Sequence, residues 1–285
     1  MTTGAKTTRR MEAYLRLLGI ELRGEVDGPA LARLQRAHVL RVPYETVDLV
    51  RGAPPGIDPT ASIDRVLAGR GGYCYHLNGA FSELLDWLGV DVTRHLAGVQ
   101  GRSCDLPPGA DGNHLGLTVG TADGHWLVDV GLGDGPAEPL PLRTDEHVVD
   151  GCRYALRPSA TDPGGWRFEH EPGGGFAGFD LAPDAVGLDA FAEMHQALST
   201  RSRFAQVVTV QRRTEAGHET LRGCVFTERT PAGRSSQELT REEDWWGLVI
   251  DGFGLAYADL GRGERAALWG RVLDEHRAWD AAGRP

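Results

Sequence analysis

The stretch Arg70-Gly71-Gly72-Tyr73-Cys74-Tyr75-His76-Leu77-Asn78 is the strongest indication of the fold in this chain. Its two glycines allow a sharp turn and a close approach of the backbone. Cys74 then stands at the start of the clearest amphipathic pattern in the sequence, which is formed by Leu77, Phe81, Leu84, Leu85 and Leu88. Because Gly89 follows that pattern, we predict a helix that begins at Cys74 and ends before Gly89, with the cysteine in its first turn.

A cysteine in this position has two interpretations. The N-terminus of a helix carries partial positive charge and unpaired N–H groups, which favour a thiolate over a thiol. The same N–H groups can bind the oxyanion that forms when a thiolate attacks a carbonyl carbon. A free cysteine is also often an inert core residue, so Cys74 on its own leaves both interpretations open.

His114 and Asp129 lie on two segments that read as the strands of one hairpin. If Ala122 and Asp123 form a two-residue turn, His114 and Asp129 become diagonal neighbours on the same face, about 7–8 Å apart at the backbone. A three-residue turn would place them on opposite faces. The predicted pairing therefore depends on the length of this turn.

The order Cys74, His114, Asp129 favours nucleophilic catalysis. A histidine beside the cysteine accepts its proton, and a carboxylate beside the histidine fixes the tautomer and stabilises the imidazolium. Asp129 stands between two valines in an apolar strand and needs a partner to offset burial. Separately, His114 reads as an ordinary core or surface histidine and Asp129 as a carboxylate that caps a loop. Together, the three residues predict a catalytic triad.

Charge and cysteine content exclude several classes of protein. With 30 Lys and Arg against 40 Asp and Glu, the formal charge is −10, which disfavours binding to nucleic acid. The four cysteines are widely spaced and form no CxxC pair, so we expect neither a disulfide framework nor a zinc site, and no metal. No run approaches the roughly 18 apolar residues of a membrane helix.

The N-terminal region gives an expectation about location. Arg9 and Arg10 resemble the start of a twin-arginine export signal, but Glu12, Arg16 and Glu21 interrupt the apolar core that such a signal requires. We therefore expect a cytoplasmic protein that does not associate with membranes.

The spacing of apolar residues predicts three successive segments. Helical periodicity dominates residues 1–90, with Ser62 as the expected cap of a short helix. Short alternating segments between Gly, Pro and Asp clusters predict an antiparallel barrel or sheet over residues 91–198. Residues 199–285 predict a smaller mixed lobe, with a strand pair followed by helices over residues 236–249 and 264–279. The predicted fold class is α+β.

At these residues the chain resembles the arylamine N-acetyltransferase family, whose marker is RGG-x-C-x-E-x-N. The marker positions present here are Arg70, Gly71, Gly72, Cys74 and Asn78. The resemblance continues over His38, Pro43 and Glu45, the His114 strand, residues 128–131, residues 198–204, and Gln211 with Arg212. It implies a helical bundle, a central antiparallel β-barrel and a C-terminal α/β lid, related to cysteine proteases and transglutaminases.

The resemblance also implies a ping-pong reaction. Cys74 would take an acetyl group from acetyl-CoA or another acyl thioester, acting as a co-substrate and not as a tightly bound cofactor, and would pass it to a small-molecule aromatic amine. Gly131, Gly133 and Gly135 would border the donor entrance. The substrate pocket would be formed by the side chains of Tyr44, Tyr73, Tyr75 and His76.

Two positions depart from the family pattern. His76 stands where the family has a glutamate, and Thr46 stands where it usually has an asparagine. Neither is a triad residue, so acyl transfer should survive, whereas the choice of acceptor and donor is open. An amide-synthase branch of natural-product pathways, which takes acyl chains from a carrier protein, is compatible with the composition. Hydrolysis and a non-catalytic binding role are the remaining alternatives.

Overall fold

The computed structural model describes residues 3–22 and 24–284. Helices fill the first third of the chain, interrupted by one short strand. In chain order the elements are α1 (Thr3–Leu18), α2 (Gly28–Arg41), β1 (Tyr44–Glu45), α3 (Val47–Arg51), α4 (Pro59–Leu67) and α5 (Cys74–Trp87).

The start of α4 differs from the prediction. The side chain of Asp58 caps the helix by accepting a hydrogen bond from the backbone N–H of Ala61, with Pro59 in the first turn. The hydroxyl of Ser62 instead donates to the carbonyl oxygen of Asp58 at 2.9 Å, from inside the helix. The predicted Ser62 cap is therefore wrong, because Asp58 followed by proline supplies the stronger start signal.

Helix α5 is the centre of the first hydrophobic core. Its apolar side chains Leu77, Phe81, Leu84 and Leu85 are fully buried, together with Tyr14 of α1 and Leu34 of α2. Gly89 follows the helix with a φ of +77°, a conformation that glycine adopts without strain. The predicted helix and the position of Cys74 in its first turn are both confirmed.

An antiparallel sheet of eight strands forms a nearly closed barrel after α5. Its spatial order is β5-β4-β3-β2-β9-β8-β7-β6. The strands are β2 (Asp91–Gly101), β3 (His114–Thr121), β4 (Gly124–Val128), β5 (Leu140–Pro141), β6 (Asp145–Val149), β7 (Cys152–Pro158), β8 (Trp166–Glu169) and β9 (Phe176–Ala185). Thr121 pairs with Gly124 across the β3–β4 hairpin, which confirms the two-residue turn at Ala122 and Asp123.

A second antiparallel sheet combines one strand from the first third of the chain with four strands from its last third. After helix α6 (Ala192–Arg201), its strands are β10 (Thr209–Thr214), β11 (Gly217–Arg222), β12 (Val225–Thr230) and β13 (Gly233–Glu238). Strand β1 pairs with β10, with Tyr44 opposite Gln211, so the first third of the chain supplies one strand of this sheet. The division into three segments at residues 90 and 198 stays a prediction.

The helix predicted over residues 236–249 is wrong in its first part. Ser236 lies in β13 opposite Thr227 of β12, and every residue of β13 is exposed. An exposed edge strand needs no apolar alternation, so the sequence signal for a strand is missing there. Helix α7 (Glu242–Gly247) follows, continues as a π-helical turn (Leu248–Gly252), and precedes α8 (Arg262–Ala281). The predicted α+β class is confirmed.

Candidate active site

Cys74 is the first residue of α5 and is 6% exposed. Tyr73, the N-cap residue, has an extended backbone, so the chain enters the helix directly at the cysteine. The thiol faces the start of strand β3, where its Sγ lies 3.9 Å from the carbonyl oxygen of Asn113. The turn of the two glycines thus brings the nucleophile candidate from the helical region up to the barrel.

His114 and Asp129 are in direct contact at the barrel rim. The Nε2 atom of His114 lies 2.6 Å from Oδ2 of Asp129, and both side chains are almost completely buried. Asp129 follows directly after β4, so the two-residue turn sets this pairing, as predicted from the register. Because Nε2 faces Asp129, Nδ1 is the imidazole nitrogen left for another partner.

The electrostatics connect His114 to Cys74 as well. Burial alone would lower the pKa of His114. The negative charges of Asp129 and Cys74, together with hydrogen bonds to both side chains, outweigh burial and raise its pKa to about 10. The structure therefore brings the three predicted residues into one contiguous group, with His114 in the middle.

Asp129 is held by donors other than His114. Its Oδ1 accepts hydrogen bonds from Nδ2 of Asn78 at 3.1 Å and from the backbone N–H of Gly131 at 2.8 Å. The side-chain oxygen of Gln35 accepts the backbone N–H of Asp129 at 3.3 Å. These contacts fix the carboxylate against rotation and leave Oδ2 for the histidine.

Asn78 ties the helix of the cysteine to the strand of the carboxylate. It lies four residues after Cys74 and so occupies the same face of α5. Besides its bond to Asp129, it donates to the carbonyl oxygen of Leu115 at 2.7 Å and accepts from the N–H of Val130 at 2.8 Å. The helical spacing from Cys74 was the available signal for this role, whereas Gln35 gave no signal in the sequence.

The three glycines predicted for the donor entrance occupy different positions. Gly131 packs against Cys74 itself, since an added Cβ would lie 2.7 Å from Cα of Cys74. Gly133 has a φ of +74° and faces Gln211 of β10. Gly133 and Gly135 line a small cavity, with room for about one water molecule, together with Tyr44 and Asp129.

The four predicted pocket residues do not form one surface. Tyr44 lines the same cavity as Gly133. Tyr73 and Tyr75 are fully buried, and the hydroxyl of Tyr75 donates to the carbonyl oxygen of Gly112 at 2.5 Å. The ring of His76 packs edge-on against Tyr73, at 4.8 Å between centroids.

His76 is a core residue in this structure. Its Nε2 lies 3.4 Å from the carbonyl oxygen of Pro55, and its Nδ1 has no partner among the described residues. Burial, assisted by the charge of Arg65, lowers its pKa to about 3. His195 of α6, which sequence analysis missed, hydrogen-bonds the hydroxyl of Tyr73 and completes the aromatic group beside the nucleophile.

The remaining cysteines are dispersed. Cys104 is exposed, Cys152 is half-buried and Cys224 is buried, and all four thiols are free. Within residues 3–22 and 24–284, no three His, Cys, Asp or Glu side chains are grouped closely enough to hold a metal ion. No helix in the same ranges has both the length and the apolar content needed to span a bilayer.

Comparison with protein families gives a match over most of the chain. The model of the N-acetyltransferase family matches residues 29–259. Among curated proteins, the chain is 36% identical over 155 residues to proansamycin X synthase from Amycolatopsis mediterranei. It is 34% identical over 145 residues to the arylamine N-acetyltransferase / N-hydroxyarylamine O-acetyltransferase of Salmonella typhimurium. These alignments cover 51% and 50% of this chain. They cover 57% and 50% of the two relatives, so the chain spans only about half the length of the curated relatives that it matches.

Solved structures match more completely. The arylamine N-acetyltransferase from Mycobacterium abscessus superposes with a TM-score of 0.81 at 26% identity, over 94% of this chain and 96% of the other. The Mycobacterium marinum arylamine N-acetyltransferase in complex with CoA has the same fold, with a TM-score of 0.84 at 23% identity. That match covers 93% of this chain and 98% of the other.

Proposed function

The chain belongs to the N-acetyltransferase family, and from this premise we propose that it is an N-acyltransferase. In this proposal Cys74 accepts an acetyl or other acyl group from a thioester such as acetyl-CoA and passes it to an aromatic amine. The observation that carries the proposal is the buried contact of His114 with both Cys74 and Asp129. A protein that only bound ligands would have no use for all three side chains in this arrangement.

The first half-reaction forms an acyl-enzyme. The Cys74 thiolate attacks the carbonyl carbon of the thioester, and the carbonyl oxygen becomes an oxyanion. When that tetrahedral intermediate collapses, the C–S bond to the donor breaks, and the leaving thiolate takes the proton from the His114 imidazolium. The raised pKa of His114 favours the protonated imidazole that this step requires.

The second half-reaction transfers the acyl group. The amine nitrogen attacks the acyl carbon on Cys74, and neutral His114 accepts the proton that the amine releases. The bond between the acyl carbon and Sγ then breaks, which restores the thiolate–imidazolium pair and releases the amide. Asp129 stabilises the imidazolium through its 2.6 Å contact, both before the first half-reaction and after the second.

The start of α5 provides a position for the oxyanion. The first N–H groups of a helix have no intrahelical acceptor, and the helix dipole is positive at that end. Because Cys74 is the first residue of α5, a carbonyl carbon bonded to its Sγ would hold its oxygen near these donors.

The donor is proposed to approach along the loop after Asp129. Gly133 and Gly135 line the small cavity beside Tyr44, and Gly131 lets the loop lie directly against Cys74. The relative from Mycobacterium marinum binds CoA on this fold. In our proposal CoA, or another thiol carrier, enters and leaves as a co-substrate.

Amide synthesis from a larger thioester is the second candidate function. It is favoured by the 36% identity to proansamycin X synthase over half of this chain. In that case the donor is a longer acyl thioester, carried on CoA or on an acyl carrier protein, and the two half-reactions are unchanged. The departure of His76 from the family marker, beside the nucleophile, is consistent with a different substrate preference.

Intact-mass measurement separates these candidates. The protein is mixed with acetyl-CoA or with longer acyl thioesters, and the mass added to Cys74 identifies the acyl group. Multiple-turnover release of CoA that depends on the amine supports acetylation. Multiple-turnover release without amine indicates hydrolysis, because formation of the acyl-enzyme alone releases only one CoA per Cys74. The Cys74→Ala variant should gain no acyl mass, whereas Cys104→Ala is the matched control and should behave as the wild type. Acylation of Cys74→Ala equal to that of the wild type would refute the nucleophile.

Alkylation tests the activated thiol independently of any substrate. We expect iodoacetamide to modify Cys74 at least about tenfold faster than Cys104, because a thiolate reacts and a thiol does not. Exposure alone predicts the reverse order, since Cys104 is exposed and Cys74 is buried. Peptide mass spectrometry after short reaction times gives both rates. Faster modification of Cys104 would contradict an ionised Cys74 and favour a non-catalytic protein.

A further inference from the structure

His114 lies at the point where the pairing between two barrel strands stops. The register of β2 and β3 ends with Ala97 opposite His114. Beyond that pair the chain bends back, and Gly112 donates its N–H to the carbonyl oxygen of Ala97 at 3.1 Å. His114 is therefore the first paired residue of β3, and its position also depends on the segment that precedes it.

The side chain of Asn113 continues the pairing where the backbone of β3 leaves it. Its Oδ1 atom accepts the backbone N–H of Val99 on β2 at 2.7 Å, and its Nδ2 atom donates to the carbonyl oxygen of Val99 at 3.4 Å. A residue on a neighbouring strand would exchange the same two bonds through its main chain. The amide of Asn113 thus takes the place of a strand residue and ties the start of β3 to β2.

Neighbouring groups orient the segment around Asn113 from two sides. The carboxylate of Asp111 accepts the backbone N–H of Asn113 at 3.0 Å, and its second oxygen accepts from Nδ2 at 3.3 Å. From the other side, the hydroxyl of Tyr75 donates to the carbonyl oxygen of Gly112. Tyr75 follows Cys74 on α5, so this segment lies between the helix of the nucleophile and the barrel.

The main chain of Asn113 contacts the nucleophile directly. Its carbonyl oxygen is 3.9 Å from Sγ of Cys74, and the next residue along the chain is His114. Because both Cys74 and His114 are buried, packing leaves their side chains little freedom to adjust. A shift of the main chain at residue 113 therefore moves the imidazole relative to the thiol, and about 1 Å of misplacement can cost about a hundredfold in rate.

We propose that Asn113 is a positioning residue, whose side-chain amide holds His114 where its imidazole meets the thiol of Cys74. The kinetic part of this inference rests on the proposed acyl transfer, whereas the contact itself is a property of the free protein. An amide suits the role because one planar group carries both an acceptor and donors. Alanine at this position would leave the two backbone groups of Val99 without these bonds.

Alkylation of the free protein tests the positioning without any substrate. The rates at which iodoacetamide modifies Cys74 and Cys104 are measured between pH 5 and 9 in the wild type and in Asn113→Ala. We expect the Cys74 rate at pH 6 to fall at least about tenfold, and the midpoint of its pH profile to rise, because a displaced imidazolium no longer stabilises the thiolate. Cys104 is exposed and should keep its wild-type profile. A purely structural role of Asn113 would leave the Cys74 profile unchanged.

Single-turnover acylation gives the kinetic test. Intact mass at short reaction times measures how fast a saturating acyl thioester acylates Cys74. In Asn113→Ala we expect this rate to fall at least about tenfold, whereas the thioester concentration that gives half of the maximal rate changes little. This split is expected of a residue that acts through His114 and not of one that binds the thioester.

Two further variants separate the amide of Asn113 from the rest of its loop. The exchange Asn113→Asp/Asp111→Asn preserves the net charge and an acceptor for the N–H of Val99, and it loses the longer bond at 3.4 Å. It should lose less than Asn113→Ala in both tests. Asp162→Ala removes the acceptor of the N–H of Ala110, at 3.0 Å in the same loop, and should behave as the wild type.

The outcomes keep this inference separate from the proposed function. If the wild type forms no acyl-enzyme with acetyl-CoA or with longer acyl thioesters, the proposed function fails, and the alkylation profiles still decide the role of Asn113. An unchanged Cys74 profile in Asn113→Ala overturns the inference, as does an unchanged acylation rate where the wild type is active. An equal effect of Asp162→Ala, or an equal loss in the exchanged variant, also overturns it. If circular dichroism shows Asn113→Ala to be unfolded, Asn113→Ser replaces it.

Discussion

At the scale of single residues, the charge of Asp129 is one of the two that raise the pKa of His114 against the effect of burial. We predict that Asp129→Asn lowers kcat/KM by about a thousandfold or more, as expected when the carboxylate of such a triad becomes an amide. Asparagine keeps an oxygen in place but removes one of the charges that raise the pKa of His114. The pKa therefore falls, and the imidazolium is lost at a lower pH. Steady-state rates are measured between pH 6 and 10. The decline of kcat/KM at alkaline pH should begin at a lower pH in Asp129→Asn than in the wild type.

The control for this prediction lies on helix α5. Asp86→Asn removes the same charge from an exposed position and should leave both the rate and the pH profile unchanged. An unshifted alkaline limb in Asp129→Asn, even with a reduced rate, would mean that Asp129 contributes only to folding.

The sequence made some residues of the candidate site visible and concealed others. Cys74, His114 and Asp129 were predictable because each is polar or reactive in an apolar or glycine-rich context that requires an explanation. Gln35 was not, because its partner, the backbone N–H of Asp129, lies 94 positions away. Nothing in the sequence marked Arg213 as buried, yet its side chain is 1% exposed. A residue whose role depends on a distant partner leaves no local pattern.

At the scale of elements, prediction succeeded where the period of apolar residues and the turn chemistry agree. Helix α5 has both an apolar stripe and glycines on either side, and the β3–β4 hairpin has a turn that fixes its register. Strand β13 lacks apolar alternation because it is an exposed edge, and its pairing with β12 comes from backbone hydrogen bonds. Those bonds carry no sequence signal, so that element was mistaken for a helix.

Packing between α5 and the loop after β4 gives the second prediction. Gly131→Ala places a Cβ 3.0 Å from Nδ2 of Asn78 and only 2.7 Å from the backbone Cα of Cys74, which no side-chain rotation can move. The loop must move, and Asp129 moves with it. We expect kcat/KM to fall at least about a hundredfold, since misplacement by about 1 Å can cost that much.

Gly79 is the matched control on the same helix. An added Cβ there would meet nothing within 4 Å. Gly79→Ala should therefore retain activity and raise the free energy of unfolding by about 0.5–1 kcal/mol, because alanine is the better helix former. Denaturant unfolding and rate measurements on both variants check the contrast, and wild-type activity in Gly131→Ala would refute the close-contact argument.

At the scale of the whole molecule, one buried ionic group connects the helical first third of the chain with its C-terminal region. Arg65 of α4 binds Glu45 of β1 at 3.0 Å and Asp48 of α3 at 2.9 Å. The hydroxyl of Tyr257 donates to Glu45 at 3.1 Å from the C-terminal region. Arg65 also donates to the carbonyl oxygen of Gly71 at 3.3 Å, so the same group supports the turn that leads into Cys74.

Removing the cation from this group gives the last prediction. Arg65→Met leaves Glu45, which is 1% exposed, without its principal counter-charge. Breaking a buried pair in this way costs about 3–5 kcal/mol. We expect a loss of that order in the free energy of unfolding at pH 7.5, measured with denaturant. Arg10→Met, which breaks the more exposed pair with Asp64, should cost less than about 1 kcal/mol.

The pH dependence distinguishes lost charge pairing from lost packing. Burial raises the pKa of Glu45, and Arg65 opposes that shift. Without Arg65 the pKa rises further, so protonation neutralises the unpaired carboxylate as the solution is acidified. The difference in unfolding free energy between wild type and Arg65→Met should therefore shrink from pH 7.5 to pH 5. If the difference in unfolding free energy stays constant over this range, Arg65 stabilises the protein through its aliphatic contacts. The first third of the chain and the C-terminal region would then be joined by packing and not by charge.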